Sequence, residues 1–370
     1  MNLNSSPMTN DHPTAFRSRK FPAVFVLAFF LLTVSLNTCV DPYEADIRFT
    51  GPKIVVDGQV TNDPGPYRVT VNQSVVYNSK DGSIPVQDAT VYVQDDLGRQ
   101  FPFSHTNRGV YVSDPAQFRG EAGRTYTLFI QTRDKKTYQS EPATLQAAPE
   151  IDTAYTRPVA TIDYRGVETT EFAFLARFTD PATPGDYYRW NWARYESELY
   201  CKSRVVGELR TAFKNPCCGP CWKITACRGC ILLAADNLVN GNAIEYQLAV
   251  IPYDSRDDYF AVVELFHISS RNYQFWRTAN TQVNNTGGIF DAPPATLPGN
   301  LFNPDDPKEQ VLGFFNVAGV SRKGVYLKRD YLPFEPPSPK VEFPAVVEPE
   351  CETCNESSTR TAFRPTGWQG

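Results

Sequence analysis

Ala89-Thr90-Val91-Tyr92-Val93-Gln94-Asp95-Asp96-Leu97-Gly98 is the stretch whose reading decides the fold. Apolar and polar residues alternate through Gln94, the period of a strand with one face buried. Asp95-Asp96-Leu97-Gly98 then predicts a hairpin, because Gly98 accepts the left-handed conformation that closes such a turn. The return strand runs through Phe101 and Phe103. The same alternation appears upstream in Tyr67-Arg68-Val69-Thr70-Val71, after the Pro- and Gly-rich break Asn62-Asp63-Pro64-Gly65-Pro66. Ile54 to Val60, Gly109-Val110-Tyr111-Val112, Thr125 to Ile130 and Thr137 to Ser140 add further short strands, with a turn at Asp134-Lys135-Lys136. Some seven strands separated by turn signals predict a β-sandwich over 54–148, of immunoglobulin-like or prealbumin-like type.

Outward from that domain, Ala147-Ala148-Pro149-Glu150 reads as a join to a second, β-rich domain over 149–332. Its strands are predicted at Glu171 to Phe178, Tyr187 to Trp192, Ile244 to Ile251, Tyr259 to Ile268, Gln310 to Phe315 and Gly324 to Leu327. Phe172, Phe174, Ala176 and Phe178 share one face; such a row can stack on a sugar or peptide, but it suits a sheet core better. One short helix is predicted from Ser269-Ser270, with Ser270 as cap, Tyr273, Trp276 and Val283 at helical spacing, and Thr286-Gly287-Gly288 as terminator. Beyond Tyr331, repeated prolines predict an extended tail over 333–370 that lies across the domain surface. The fold class is therefore mainly β.

At the other end, Arg17, Arg19 and Lys20 precede an apolar run from Phe21 to Leu36, and Leu36-Asn37-Thr38-Cys39 follows. A basic flank, a short apolar core and a small residue before a cut describe a secretory signal over 1–38. A cysteine directly after the cut is the lipoprotein form of it, so Cys39 is the expected lipidation site. The apolar run, interrupted by Pro22, is short for a span of roughly 20 residues. Residues 39–53 form an acidic, Pro-interrupted tether. These features predict a lipid anchor on the outer membrane, and the acidic tether leads us to expect the cell-surface side.

The whole chain has 36 basic and 41 acidic side chains. Residues 1–38 hold three of the basic and one of the acidic, leaving 33 against 40 in the remainder. That acidic balance, without a basic run, excludes a nucleic-acid binder. An aromatic content of 13% with 41% hydrophobic residues argues for folded material.

Nine cysteines less Cys39 leave an even set: Cys201, Cys217, Cys218, Cys221, Cys227, Cys230, Cys351 and Cys354. Six of them fall in a cysteine-rich insertion over 201–230. In an oxidising compartment they are expected as disulfides that staple the insertion, reaching to the tail. Zinc is the rival, because Cys218-x2-Cys221 and Cys227-x2-Cys230 are chelating pairs. The five residues between those pairs are fewer than a zinc ribbon uses. Cys218-Gly219-Pro220-Cys221 also matches a thioredoxin-like redox motif, but without the βαβ context that such enzymes need.

Catalytic signals are thin, and the chain is not expected to be an enzyme. His105 and His267 are the histidines outside the signal, and His267 reads as structural. No Gly-x-Ser-x-Gly or His-Glu-x-x-His occurs. Asp95-Asp96, Asp257-Asp258 and Asp305-Asp306 lack the alternating ligand spacing of an EF-hand and suit turns as well as calcium.

Several segments together resemble one family. They are the lipobox at Cys39, Ile54-Val55-Val56-Asp57-Gly58, Asp63-Pro64-Gly65-Pro66-Tyr67, Gly123-Arg124-Thr125-Tyr126-Thr127-Leu128, Tyr273-Gln274-Phe275-Trp276, Gly288-Ile289-Phe290-Asp291, Gly299-Asn300-Leu301-Phe302-Asn303, Gln310 to Phe315 and Cys351-x2-Cys354. The chain resembles an uncharacterised lipoprotein family of Bacteroidota, a domain of unknown function often encoded beside TonB-dependent outer-membrane receptors. The resemblance implies an accessory or binding lipoprotein partnering such a receptor in nutrient uptake, and carries over no catalytic residue. The alternatives are an extracellular hydrolase of glycan or peptide and an adhesin-like surface module.

Overall fold

Val91 and Val93, Val69 and Val71, and Tyr126, Leu128 and Ile130 all point into one buried cluster, each set coming from alternate positions of its strand. The computed structural model describes residues 51–368 apart from 77–78, 80–81, 163–165, 207–210, 238, 285–296, 298, 334 and 337–349, and only the backbone over 202–214. The signal over 1–38, the lipidation candidate Cys39, the tether up to residue 50, and Gly288-Ile289-Phe290-Asp291 lie outside the described residues.

The first strands are β1 (Ile54–Thr61), β2 (Arg68–Ser74), β3 (Ser83–Pro85), β4 (Thr90–Asp95), β5 (Gln100–Asn107), β6 (Val110–Ser113), β7 (Thr125–Gln131), β8 (Thr137–Ser140) and β9 (Ala143–Thr144). They run in space as β8-β7-β4-β5-β6-β2-β1. The β4–β5 hairpin forms where the turn signal stands, with Gly98 at φ +79°. Asp95 organises that turn. Its Oδ1 accepts from the amides of Leu97 (3.0 Å) and Arg99 (2.8 Å), and its Oδ2 from the side chains of Arg99 (2.6 Å) and Arg124 (3.0 Å). The His105 side chain sits on β5 beside Tyr111.

The second half contains β10 (Ile151–Ile162), β11 (Glu168–Thr179), β12 (Tyr187–Ser197), β13 (Tyr200–Val206), β14 (Thr211–Pro216), β15 (Trp222–Ala226), β16 (Leu232–Ala235), β17 (Ala243–Pro252), β18 (Tyr259–Ile268), β19 (Leu301–Phe302), β20 (Leu312–Leu327) and β21 (Arg360–Thr361). The three-stranded sheet β10-β11-β17 and the β20-β18-β12 strands enclose a second core. Phe172, Phe174 and Phe178 are fully buried there, so the aromatic row is sheet core. Phe178 meets Tyr188 edge-on at 4.7 Å and Trp190 at 5.5 Å, the arrangement the ring quadrupoles favour.

β20 corrects the sequence reading. Gln310–Phe315 and Gly324–Leu327 were expected as separate strands, yet one sixteen-residue strand spans Leu312–Leu327. Its first part pairs parallel with β1 and its second part antiparallel with β18, so one strand serves both cores. Phe314 to Val320 are buried on both faces, which erases the alternation that marks a strand in sequence. The two halves thus share a continuous sheet within the compact unit Gly51–Gly370.

The helix Ser270–Asn284 lies beside this junction. Ser269 is its cap rather than Ser270, its Oγ accepting from the Asn272 amide at 3.2 Å. Asn272 then reaches Asn316 of β20 (2.8 Å), and Phe275 packs on Phe314. Among the described residues no helix is long and apolar enough to cross a membrane.

Candidate ligand-binding cavity and its disulfide-held wall

All eight cysteines expected to be structural are paired: Cys201–Cys217, Cys218–Cys351, Cys221–Cys354 and Cys227–Cys230. The sulfurs of Cys201, Cys217 and Cys221 lie within 4.8 Å of one another, a spacing that free thiolates could offer to a metal. Each is engaged in a bridge, and a bridged sulfur has no thiolate to offer a metal. Cys218-x2-Cys221 and Cys351-x2-Cys354 run side by side, two rungs of a short parallel ladder. Backbone bonds extend it: Cys218 N donates to Glu352 O (2.9 Å) and Glu352 N to Pro216 O (2.7 Å).

The bridges bring the end of the chain onto the second sandwich. β21 pairs with β15, and Arg360 grips Glu198 through two hydrogen bonds, Nε at 2.7 Å and Nη2 at 3.1 Å. A fork-to-carboxylate pair of this kind sets orientation as well as position. The tail thereby delivers Trp368 against Trp222 (6.1 Å), Phe260 (6.3 Å) and Tyr326 (5.9 Å). Gly367, at φ +95°, allows this approach, since a Cβ there would stand 2.8 Å from the Phe260 ring.

Trp368 and Tyr326 form one wall of a cavity of about 1010 Å³, within the usual size of a ligand site. Glu196 from the end of β12, the loop Asp254–Asp258, and Lys328 and Arg329 beyond β20 supply the remainder. Arg329 is 1% exposed. Its guanidinium covers the Tyr259 ring at 3.6 Å, donates from Nη1 to Asp254 Oδ1 (2.7 Å) and to the Tyr259 hydroxyl, and from Nε to Asp257 O (2.8 Å). A second guanidinium, Arg194, lies 4.3 Å from the same ring.

Burial pushes the Tyr259 hydroxyl well above its ordinary range. Burial also acts to raise Asp254, but bonds and charge from Arg329 outweigh it and hold that carboxyl below its usual value. Asp254 therefore stays an anion at neutral pH. Nη2 of Arg329 has no hydrogen-bond partner among the described residues and lies 4.0 Å from Glu196 Oε1. That gap is too long for a direct hydrogen bond and leaves a long-range ion pair.

None of these cavity residues was singled out as a site from the sequence apart from the pair Asp257-Asp258. The usable signal was indirect: a terminal Trp behind a Cys-x2-Cys that mirrors an earlier one. Of the other acidic pairs, Asp95 is engaged by two arginines, and Asp305 accepts from Thr137 Oγ1 at 2.6 Å. His267 is buried, with Nδ1 2.9 Å from Ala147 O and Nε2 3.1 Å from Asp186 Oδ1.

No curated protein matches the chain. Residues 40–324, the greater part of the chain and most of both sandwiches, match the family model described as "Domain of unknown function (DUF4249)", and the protein belongs to that family.

Proposed function

We propose that the protein is a lipid-anchored accessory lipoprotein of the outer membrane that binds a polar ligand and partners a TonB-dependent receptor in nutrient uptake. The observation that carries the binding role is the cavity walled by Trp368 and Tyr326. It combines aromatic faces with the charged side chains of Glu196, Asp257, Asp258 and Lys328. Such a wall suits a ligand that offers both a hydrophobic face and hydroxyl groups. The anchoring role rests on the signal-like run ending at Cys39, and the receptor on the family resemblance.

The test uses the full-length protein carrying an affinity tag, extracted from membranes in mild detergent. Co-isolation of a TonB-dependent receptor barrel is the expected result, and repeated isolation alone overturns the partnership. Cys39→Ser is expected to release the protein into the soluble fraction. Fractionation of that variant with membranes, as for the parent, removes the anchor from the proposal.

A further inference from the structure

Three carboxylates meet at one end of the second sandwich: Asp180 just after β11, Asp186 just before β12 and Asp236 just after β16. They are 3%, 6% and 1% exposed, and one oxygen from each lies within 4.8 Å of the others. Asp180 and Asp236 are held in place by donors outside the trio. Asp180 accepts from the Tyr188 hydroxyl (2.6 Å) and the Gly241 amide (3.1 Å), Asp236 from the Gly185 amide (2.7 Å). His267 Nε2 sits 3.1 Å from Asp186 Oδ1. Backbone bonds from Asp180 N to Asn242 O and from Asp236 N to Asp186 O tie the loops together.

A separate observation points to a ligand. Asp186 Oδ2 is buried and has no hydrogen-bond partner among the described residues. A buried, unpaired carboxylate oxygen is costly, and two further carboxylates beside it add like-charge repulsion. A cation among the three oxygens relieves both costs at once.

We propose that Asp180, Asp186 and Asp236 form a calcium site that clamps the loops 180–186 and 236–242. The donors are all carboxylate oxygens, which suits a hard cation rather than zinc or copper. Calcium–oxygen distances of 2.3–2.6 Å place opposed ligand oxygens about 4.6–5.2 Å apart, whereas magnesium holds them at about 4.2 Å. Oxygens within 4.8 Å of one another suit either ion as neighbouring ligands, and calcium is preferred because magnesium keeps several of its waters rather than entering a buried cage of protein carboxylates. The hydrogen bonds from Tyr188, Gly185 and Gly241 then serve as the outer shell that orients the ligands.

The test is a thermal melt of the full-length protein after chelation, with calcium or magnesium returned at about 1 mM, where extracellular calcium modules bind. Calcium is expected to raise the melting temperature by about 3 °C or more, and magnesium by less. Asp186→Asn is expected to abolish the calcium shift. Asp236→Glu, which keeps the charge but moves the oxygen, is expected to weaken calcium binding about tenfold or more in a calorimetric titration. Asp305→Asn, remote from the trio, is expected to leave it unchanged. No calcium shift in the parent protein overturns the proposal, as does an equal shift in folded Asp186→Asn. If Asp186→Asn does not fold, parental affinity in Asp236→Glu overturns it.

Discussion

Cys221 is bonded to Cys354, 133 residues further along the chain, and the neighbouring bridge Cys218–Cys351 spans the same separation. These paired bridges are the covalent ties of the segment 350–368, which is otherwise held by a two-residue strand, backbone bonds at Glu352 and Thr359, the Arg360–Glu198 pair and the ring contacts of Trp368. In the chain-entropy picture a loop of this length is worth about 5 kcal/mol, and a second bridge beside the first adds much less.

Non-reducing peptide mapping is expected to recover the linked peptides Cys218–Cys351 and Cys221–Cys354. Reduction should then open residues 350–368 to limited proteolysis, and the fluorescence of Trp222 and Trp368 should shift as their rings separate. A segment equally resistant with and without reductant would show that the bridges do not hold it.

Gly313 sits at φ +93°, where an added Cβ would strike the backbone of Val56 on the neighbouring strand. Gly98 has a similar φ, +79°, but faces open space. Gly98→Ala is therefore expected to cost about 1–2 kcal/mol, the conformational term alone. Gly313→Ala should cost about 4 kcal/mol or more, because the β1–β20 pairing must separate. Urea denaturation of the two variants side by side measures the difference.

Burial alone would raise the Asp95 carboxyl, but hydrogen bonds from the Arg99 side chain and amide, from Arg124 and from the Leu97 amide hold it at about 2. The folded value lies below the unfolded one, so this group's stabilisation is fully present above about pH 4 and is lost as the pH falls towards 2. Asp95→Asn should lower stability at neutral pH by about 1–2 kcal/mol, because a neutral amide cannot replace the charge-assisted bonds from Arg99 and Arg124. It should also flatten the stability profile between pH 4 and 2 relative to the parent, which denaturation at a series of pH values reads directly.

Arg329→Met removes the cation from Tyr259 and Asp254 while keeping much of the volume. A loss of about 3 kcal/mol is expected, and Arg329→Lys should recover little of it, since one ammonium cannot reproduce three directed bonds and the stacking on Tyr259. Thermal melts of both variants decide; full recovery by lysine would mean that charge alone matters there.

The sequence alone determined the strand content, because a sheet with one wet face writes its period of two into side-chain polarity, as in Thr90–Asp95 and Thr125–Gln131. It also determined the hairpin at Gly98, whose chemistry is local, and the even cysteine set. The continuity of Leu312–Leu327 was decided by the tertiary structure, because burial on both faces leaves no alternation to read. So were the partners of Cys218 and Cys221, the cavity around Arg329, and the meeting of Asp180, Asp186 and Asp236. Each of these joins residues from separate strands or loops, brought together by pairings such as β12 with β16 and β18, β15 with β21, and β18 with β20.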